Sequence, residues 1–196
     1  MADHRRREAR LRGGGRGVSR HGVPRHRGGG GAAVNRFLRT TSLLGLLALL
    51  GDTLLAPLLT FGHIGPDFSL IAVAILALAE GAFAGTVGGF VMGLVIDTAS
   101  PDRLGLSSLS KSLAGFAAGR ARARFNFGIP AVEGTTVAVL ALGHDALHLL
   151  VLSWTGRGAF LEPLFTAALP SALYTGLVAI PLIRAADLLG LLNRDD

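Results

Sequence analysis

Six apolar runs follow one another along the chain, at 41–61, 67–79, 82–97, 104–119, 129–154 and 160–192. A helix needs roughly 20 residues to cross about 30 Å of hydrocarbon. The first, fifth and sixth runs are long enough. The second, third and fourth are short, and span only if tilted, extended by polar ends, or joined at Glu80-Gly81 by a tight turn buried in protein. The pattern predicts an all-α integral membrane protein, a transmembrane bundle of about six helices.

Composition agrees. Of 196 residues, 50% are hydrophobic and 16% charged, against about 25% charged in soluble domains. The charge is uneven. Up to Arg39 there are eleven Arg against Asp3 and Glu8, a net +9; the remainder is −3, so the overall +6 comes from the N-terminal tail. Residues 1–36, rich in Arg, Gly and His, hold too few large apolar residues to offset ordering entropy and read as a disordered cytoplasmic tail. Such a tail suits contact with anionic lipid and sets topology. It has no aromatic residue on which a base can stack, so no nucleic acid partner is expected. The basic stretch is too long, and run 41–61 too close to a full span, for a cleaved signal peptide. Arg120, Arg122 and Arg124 between runs four and five, and Arg184 and Arg194 near the end, place those segments inside under the positive-inside rule. Six spans with both termini cytoplasmic satisfy this count; Glu80 marks an inside loop with no positive charge.

Chemistry is sparse. Without cysteine there is no disulfide, thiolate metal site or thiol catalysis. Walker, dinucleotide-binding and nucleophile-elbow motifs are missing. No catalytic, cofactor-binding or metal-ligating residue is assigned, and no cofactor is expected. Gly81, Gly85, Gly89 and Gly93 recur every fourth residue, with Gly88 beside them and Asp97 continuing the series. Small residues let helix backbones approach closely in lipid. A four-residue step drifts about 40° around a helix, so the row is a slanted ridge suited to a crossing helix. Gly115 and Gly119 form a second pair.

Asp97 has three readings: an interfacial acid that shapes a turn or accepts N–H bonds at the start of the next helix, a proton or ion site, or a partner contact. Ser100 and Asp102-Arg103 are further capping candidates. His144 and His148 stand at i,i+4 on one helix face beside Asp145. They read as metal or proton-transfer residues, or as polar groups bonding across helices; Glu133, eleven residues earlier, does not complete a ligand set. Asp52 and Glu162 read as polar residues at helix interfaces.

The stretch from Pro66 to Arg120 resembles the rod shape-determining MreD family. The resemblance is carried by Pro66-Asp67, Glu80-Gly81, the ladder reaching Gly89-Phe90-Val91-Met92-Gly93-Leu94, Asp97, Leu104-Gly105-Leu106, and Gly115 to Arg120. "LPSALYTGL", Leu169 to Leu177, is similar to the Pro-x-x-x-Tyr motif of that family's last span. The basic tail lies outside the family pattern.

The resemblance implies a non-enzymatic elongasome subunit of the bacterial cytoplasmic membrane. It would act with MreC, with MreB and RodA, and with membrane lipids in sidewall peptidoglycan synthesis and cell shape. The implied fold is like that of energy-coupling-factor transporter substrate-binding subunits. Residues 37–192 form the implied MreD-like domain and 193–196 a short cytoplasmic end. Gly81, Gly85, Gly89, Gly93, Asp97, Gly115 and Gly119 are its expected packing or partner-interface residues. Two other functions remain. A small-molecule uptake subunit should have an outward cavity of polar side chains and an Ala-x-x-x-Ala pair in its first span, which is missing here. A proton-coupled transporter requires Asp52, Asp97, Glu133, His144, Asp145 and His148 to converge.

Overall fold

The structure, a computed structural model, describes residues 29–98, 105–122, 124 and 128–192. Contacts divide the chain into Met1–Ala32 and Ala33–Asp196. Of the first unit only the opening of a helix is described. Most of the expected disordered tail, the end at 193–196, and the capping candidates Ser100, Asp102 and Arg103 lie outside the described residues.

The described architecture is helical, with one isolated bridge between Phe61 and Ile64. Helix α1, Gly29–Leu50, reaches back into the segment whose composition reads as tail. It continues through a π-helical turn, Gly51–Leu55, into Ala56–Leu59. Helix α2 is Phe68–Glu80, α3 is Ala82–Thr98, α4 is Leu106–Arg122 and α5 is Pro130–Trp154. A turn at Leu161–Pro163 and a π-helical segment, Leu164–Ala168, lead into α6, Leu169–Leu188. Each wide turn precedes a proline, Pro57 or Pro170, that has no N–H to donate four residues back.

Three helical runs, Leu38–Leu59, Pro130–Trp154 and Leu161–Leu188, are long and apolar enough to cross a membrane. Helix α2 is different. Its 13 residues rise only about 20 Å, yet every residue from Phe68 to Ala79 is buried. A helix apolar on all sides belongs in a core, and α2 packs against α3, α4, α5 and α6. Leu70, Ile71, Val73, Leu76 and Ala77 face protein rather than lipid. Gly81, at φ 91°, ends α2 and donates its N–H to the Ala77 carbonyl at 2.9 Å. A residue with a Cβ rarely adopts that conformation, so glycine permits the abrupt reversal into α3.

Helices α3 and α4 run antiparallel with their backbones almost touching. A Cβ on Gly85 would lie 2.6 Å from the Gly115 carbonyl oxygen, and one on Gly93 2.5 Å from that of Ser107. A Cβ on Gly89 would strike the Lys111 carbonyl, and one on Gly119 the Ala82 backbone. Each step of four along α3 is matched by a step of four backward along α4, so these small residues form one seam. Gly81 stands apart from it: a Cβ there meets open space. A second close approach joins α5 to α6, where a Cβ on Gly176 would lie 2.5 Å from the Gly134 carbonyl oxygen.

Candidate functional site

The first N–H groups of every helix lack intrahelical acceptors. In this bundle three carboxylates meet those needs at one end. Asp97, fully buried at the end of α3, reaches across the connection to α4. Its Oδ2 accepts from Gly105 N at 3.0 Å, Ser108 N at 3.0 Å and Ser108 Oγ at 2.8 Å, and its Oδ1 from Ser107 N at 3.1 Å. Four donors converging on both oxygens make a closed cap for an ionised acid. The ladder thus ends in a carboxylate because the helix pressed against the ladder begins there.

Two acids share the start of α2. Asp67 accepts from Leu70 N at 2.7 Å and Ser69 Oγ at 2.6 Å. Asp52, from the π-helical turn after α1, accepts from Phe68 N at 2.9 Å and Ser69 N at 3.2 Å. Lys111 of α4 extends its ammonium to Asp67 Oδ2 at 2.7 Å. The Lys111 side chain is only 4% exposed, so the pair ties α4 to the core helix in a low dielectric. Thr175 of α6 accepts the Asp67 N–H at 3.2 Å. Three elements, α2, α4 and α6, therefore meet at Asp67.

Beside this junction lies a cleft of about 380 Å³. Its floor includes Asp67 and Leu70; one wall carries His144, Asp145 and His148, and the other Ser171 and Thr175. The His144 and His148 rings are 4.8 Å apart between centroids. His144 Nδ1 lies 3.1 Å from Asp145 Oδ1, while His144 Nε2 and His148 Nδ1 are buried without a hydrogen-bond partner. Among the described residues, no group of three or more His, Asp or Glu side chains is placed to hold a metal.

The opposite end is basic. Arg122 donates to the Ala79 carbonyl at 3.1 Å, serving the C-terminus of α2. Arg184 donates to the Gly128 carbonyl at 2.8 Å and lies 3.2 Å from the fully buried carboxylate of Glu133.

A family model for the rod shape-determining protein MreD matches residues 33–189. The chain belongs to the MreD family. No curated protein matches it. As an MreD-family member carrying three spanning-length apolar helices, it is an integral membrane protein of the rod-shape system. The family is one of structural, shape-determining proteins.

In this MreD-family fold the six ionisable groups of the proton-transporter reading do not share one site. Asp97 is saturated by α4, Asp52 by α2, and Glu133 pairs with Arg184 at the other end of the bundle. His144, Asp145 and His148 do share a cleft, with Asp67 in place of the others. Glu162 is exposed rather than held between helices. Sequence reasoning missed Lys111 and the Gly134–Gly176 contact. One signal for Lys111 was available: it is the one lysine among 19 basic residues.

Proposed function

We propose that this MreD-family protein is a non-enzymatic subunit of the bacterial elongasome that binds an MreC-like partner. In that role it helps position sidewall peptidoglycan synthesis together with MreB and RodA. The observation that carries the reading is the family match across 33–189, which takes in nearly all of the proposed membrane domain, 37–192. A rigid body also suits a scaffold: α3 and α4 are locked by their glycine seam, and Asp67 joins α2, α4 and α6.

The proposal includes six passes in the cytoplasmic membrane, with both termini cytoplasmic. It also includes a fold like that of energy-coupling-factor substrate-binding subunits, and a basic tail at 1–36 that touches anionic lipid. Arg122 and Arg184 lie at the end of the bundle opposite Asp52, Asp67 and Asp97, in support of that orientation under the positive-inside rule. Gly85, Gly89, Gly93, Gly115 and Gly119 are engaged within the chain, so we assign them to packing and place the partner surface elsewhere. A small-molecule uptake subunit is the second reading; the polar cleft favours it.

The test is coexpression with MreC and capture from mild detergent. Recovery of MreC supports the reading, and its absence sinks it. Topology is read separately with single cysteines, which the chain otherwise lacks. Cysteines replacing Ser19 and Asp195 should be protected from an impermeant thiol reagent in intact cells, and those replacing Asp102 and Gly156 should react.

A further inference from the structure

We propose that the cleft between α5, α6 and the start of α2 binds a small molecule through a primary ammonium group. Hydrogen-bond accounting carries the argument. A carboxylate oxygen only accepts, so the 3.1 Å contact with Asp145 Oδ1 places the proton of a neutral His144 ring on Nδ1. Nε2 is then a lone-pair acceptor. The His144 side chain is 10% exposed and lines the cleft, and its Nε2 is buried with no partner. Buried acceptors are normally satisfied, and an ionisable side chain inside a membrane domain marks a candidate functional site.

Charge points the same way. Asp67 is matched by Lys111, whereas Asp145 meets only the imidazole of His144 among the contacts that hold it. No Arg or Lys lines the cleft. One carboxylate's worth of negative charge is left over in the cleft. An alkylammonium brings a positive charge and three N–H donors, enough for Asp145, the His144 ring and the partly exposed edge of Asp67. Leu70, Leu149 and Leu152 supply apolar wall for an aliphatic chain. The cleft volume lies in the range of small-ligand sites, about 300–1,000 Å³. A transition metal fits less well, since a zinc site takes at least three protein ligands and no such group forms among the described residues. An anion would face Asp145 unscreened.

The inference goes beyond the scaffold reading and stands without it: MreC capture and ligand binding are separate measurements. The test is isothermal titration of the full-length protein in nanodiscs with 1,4-diaminobutane, against 1,4-butanediol and succinate of similar length. The diamine should bind, with the diol and the dianion at least tenfold weaker. Asp145→Asn and His144→Phe should each weaken the diamine at least tenfold while thermal melting shows the fold intact. Ala167→Leu narrows the cleft without removing a polar group, and should also weaken binding. Equal binding of the diol, an unchanged affinity in Asp145→Asn, or binding of zinc but not of the diamine would each overturn the proposal.

Discussion

Asp97 and His144 both lie buried in a membrane domain, and their surroundings could hardly differ more. The Asp97 carboxylate takes four hydrogen bonds from one short stretch of chain, Gly105 to Ser108. His144 has one partner, and its second nitrogen is buried with nothing to meet it. A polar group whose needs are all met inside the chain is there for structure. One left partly unmet costs stability without a local return, which is the mark of a group kept for something outside the chain. The same division separates the tight glycine seam of α3 and α4 from the open wall of α5.

The largest effect should come from breaking the closed site. Asp97→Leu leaves three backbone N–H groups and a serine hydroxyl without their acceptor. At about 1–3 kcal/mol for each unsatisfied buried group, partly relieved by rearrangement, the loss should be about 4 kcal/mol. Asp97→Asn is milder for a geometric reason. With its amide oxygen in the Oδ2 position it keeps the Gly105 and both Ser108 bonds and loses only Ser107, a cost of about 1–2 kcal/mol. Unfolding in detergent, followed by circular dichroism, should rank wild type above Asn and Asn above Leu, and MreC capture should follow the same order. If Asn stayed as stable as wild type yet lost cell-shape support as completely as Leu, Asp97 would be a proton-transfer group and the comparison would fail.

Next in size is Lys111→Met, which leaves the Asp67 carboxylate without its cation. Breaking a buried pair from one side typically costs about 3–5 kcal/mol; the 29% exposure of the Asp67 side chain places this case at the low end. Adding Asp67→Asn to Lys111→Met should recover part of the loss, because the uncompensated charge disappears with it. A double variant less stable than Lys111→Met alone would show that capping by Asp67, not pairing, carries the energy.

Much of this was legible in the sequence, and the boundary has a physical cause. The long spans, the glycine row and the possibility of an acid cap at Asp97 are all written in local spacing, since their partners lie within a turn or in the next helix. The junction at Asp67 is not: Lys111 comes 44 positions later and Thr175 108 positions later, and no periodicity joins them. The burial of α2 was half legible. Its continuous apolar run reads alike for a lipid-facing and a core helix, and only packing decides between them. His144 and His148 were legible as a pair, but their missing partners depend on where α2 and α6 stand.

The glycine seam gives a smaller effect with opposite signs at two sites. Gly89→Ala drives a Cβ into the Lys111 carbonyl, a backbone atom that cannot rotate away. Forcing the helices apart should cost about 1–3 kcal/mol, as overpacking does in other cores. Gly143, in α5, has open space where its Cβ would be, so Gly143→Ala should stabilise by about 0.5–1 kcal/mol through helix propensity alone. Paired melting curves of these two single-methyl additions check the claim, and destabilisation of similar size at both sites would remove the seam as an explanation.

The smallest expected change falls at the open site. His144→Phe removes a buried acceptor that has no partner, together with one hydrogen bond to the half-exposed Asp145. Losing the bond costs about 1 kcal/mol, and losing the unsatisfied nitrogen returns a similar amount. Thermal stability should therefore stay within about 1 kcal/mol of wild type, in contrast to the Asp97 variants. The two groups are then separated by outcome: at Asp97 stability and function fall together, and at His144 diamine binding falls while the fold remains. A collapse of stability in His144→Phe comparable to that of Asp97→Leu would mean that the imidazole supports the bundle and that the cleft is part of the core.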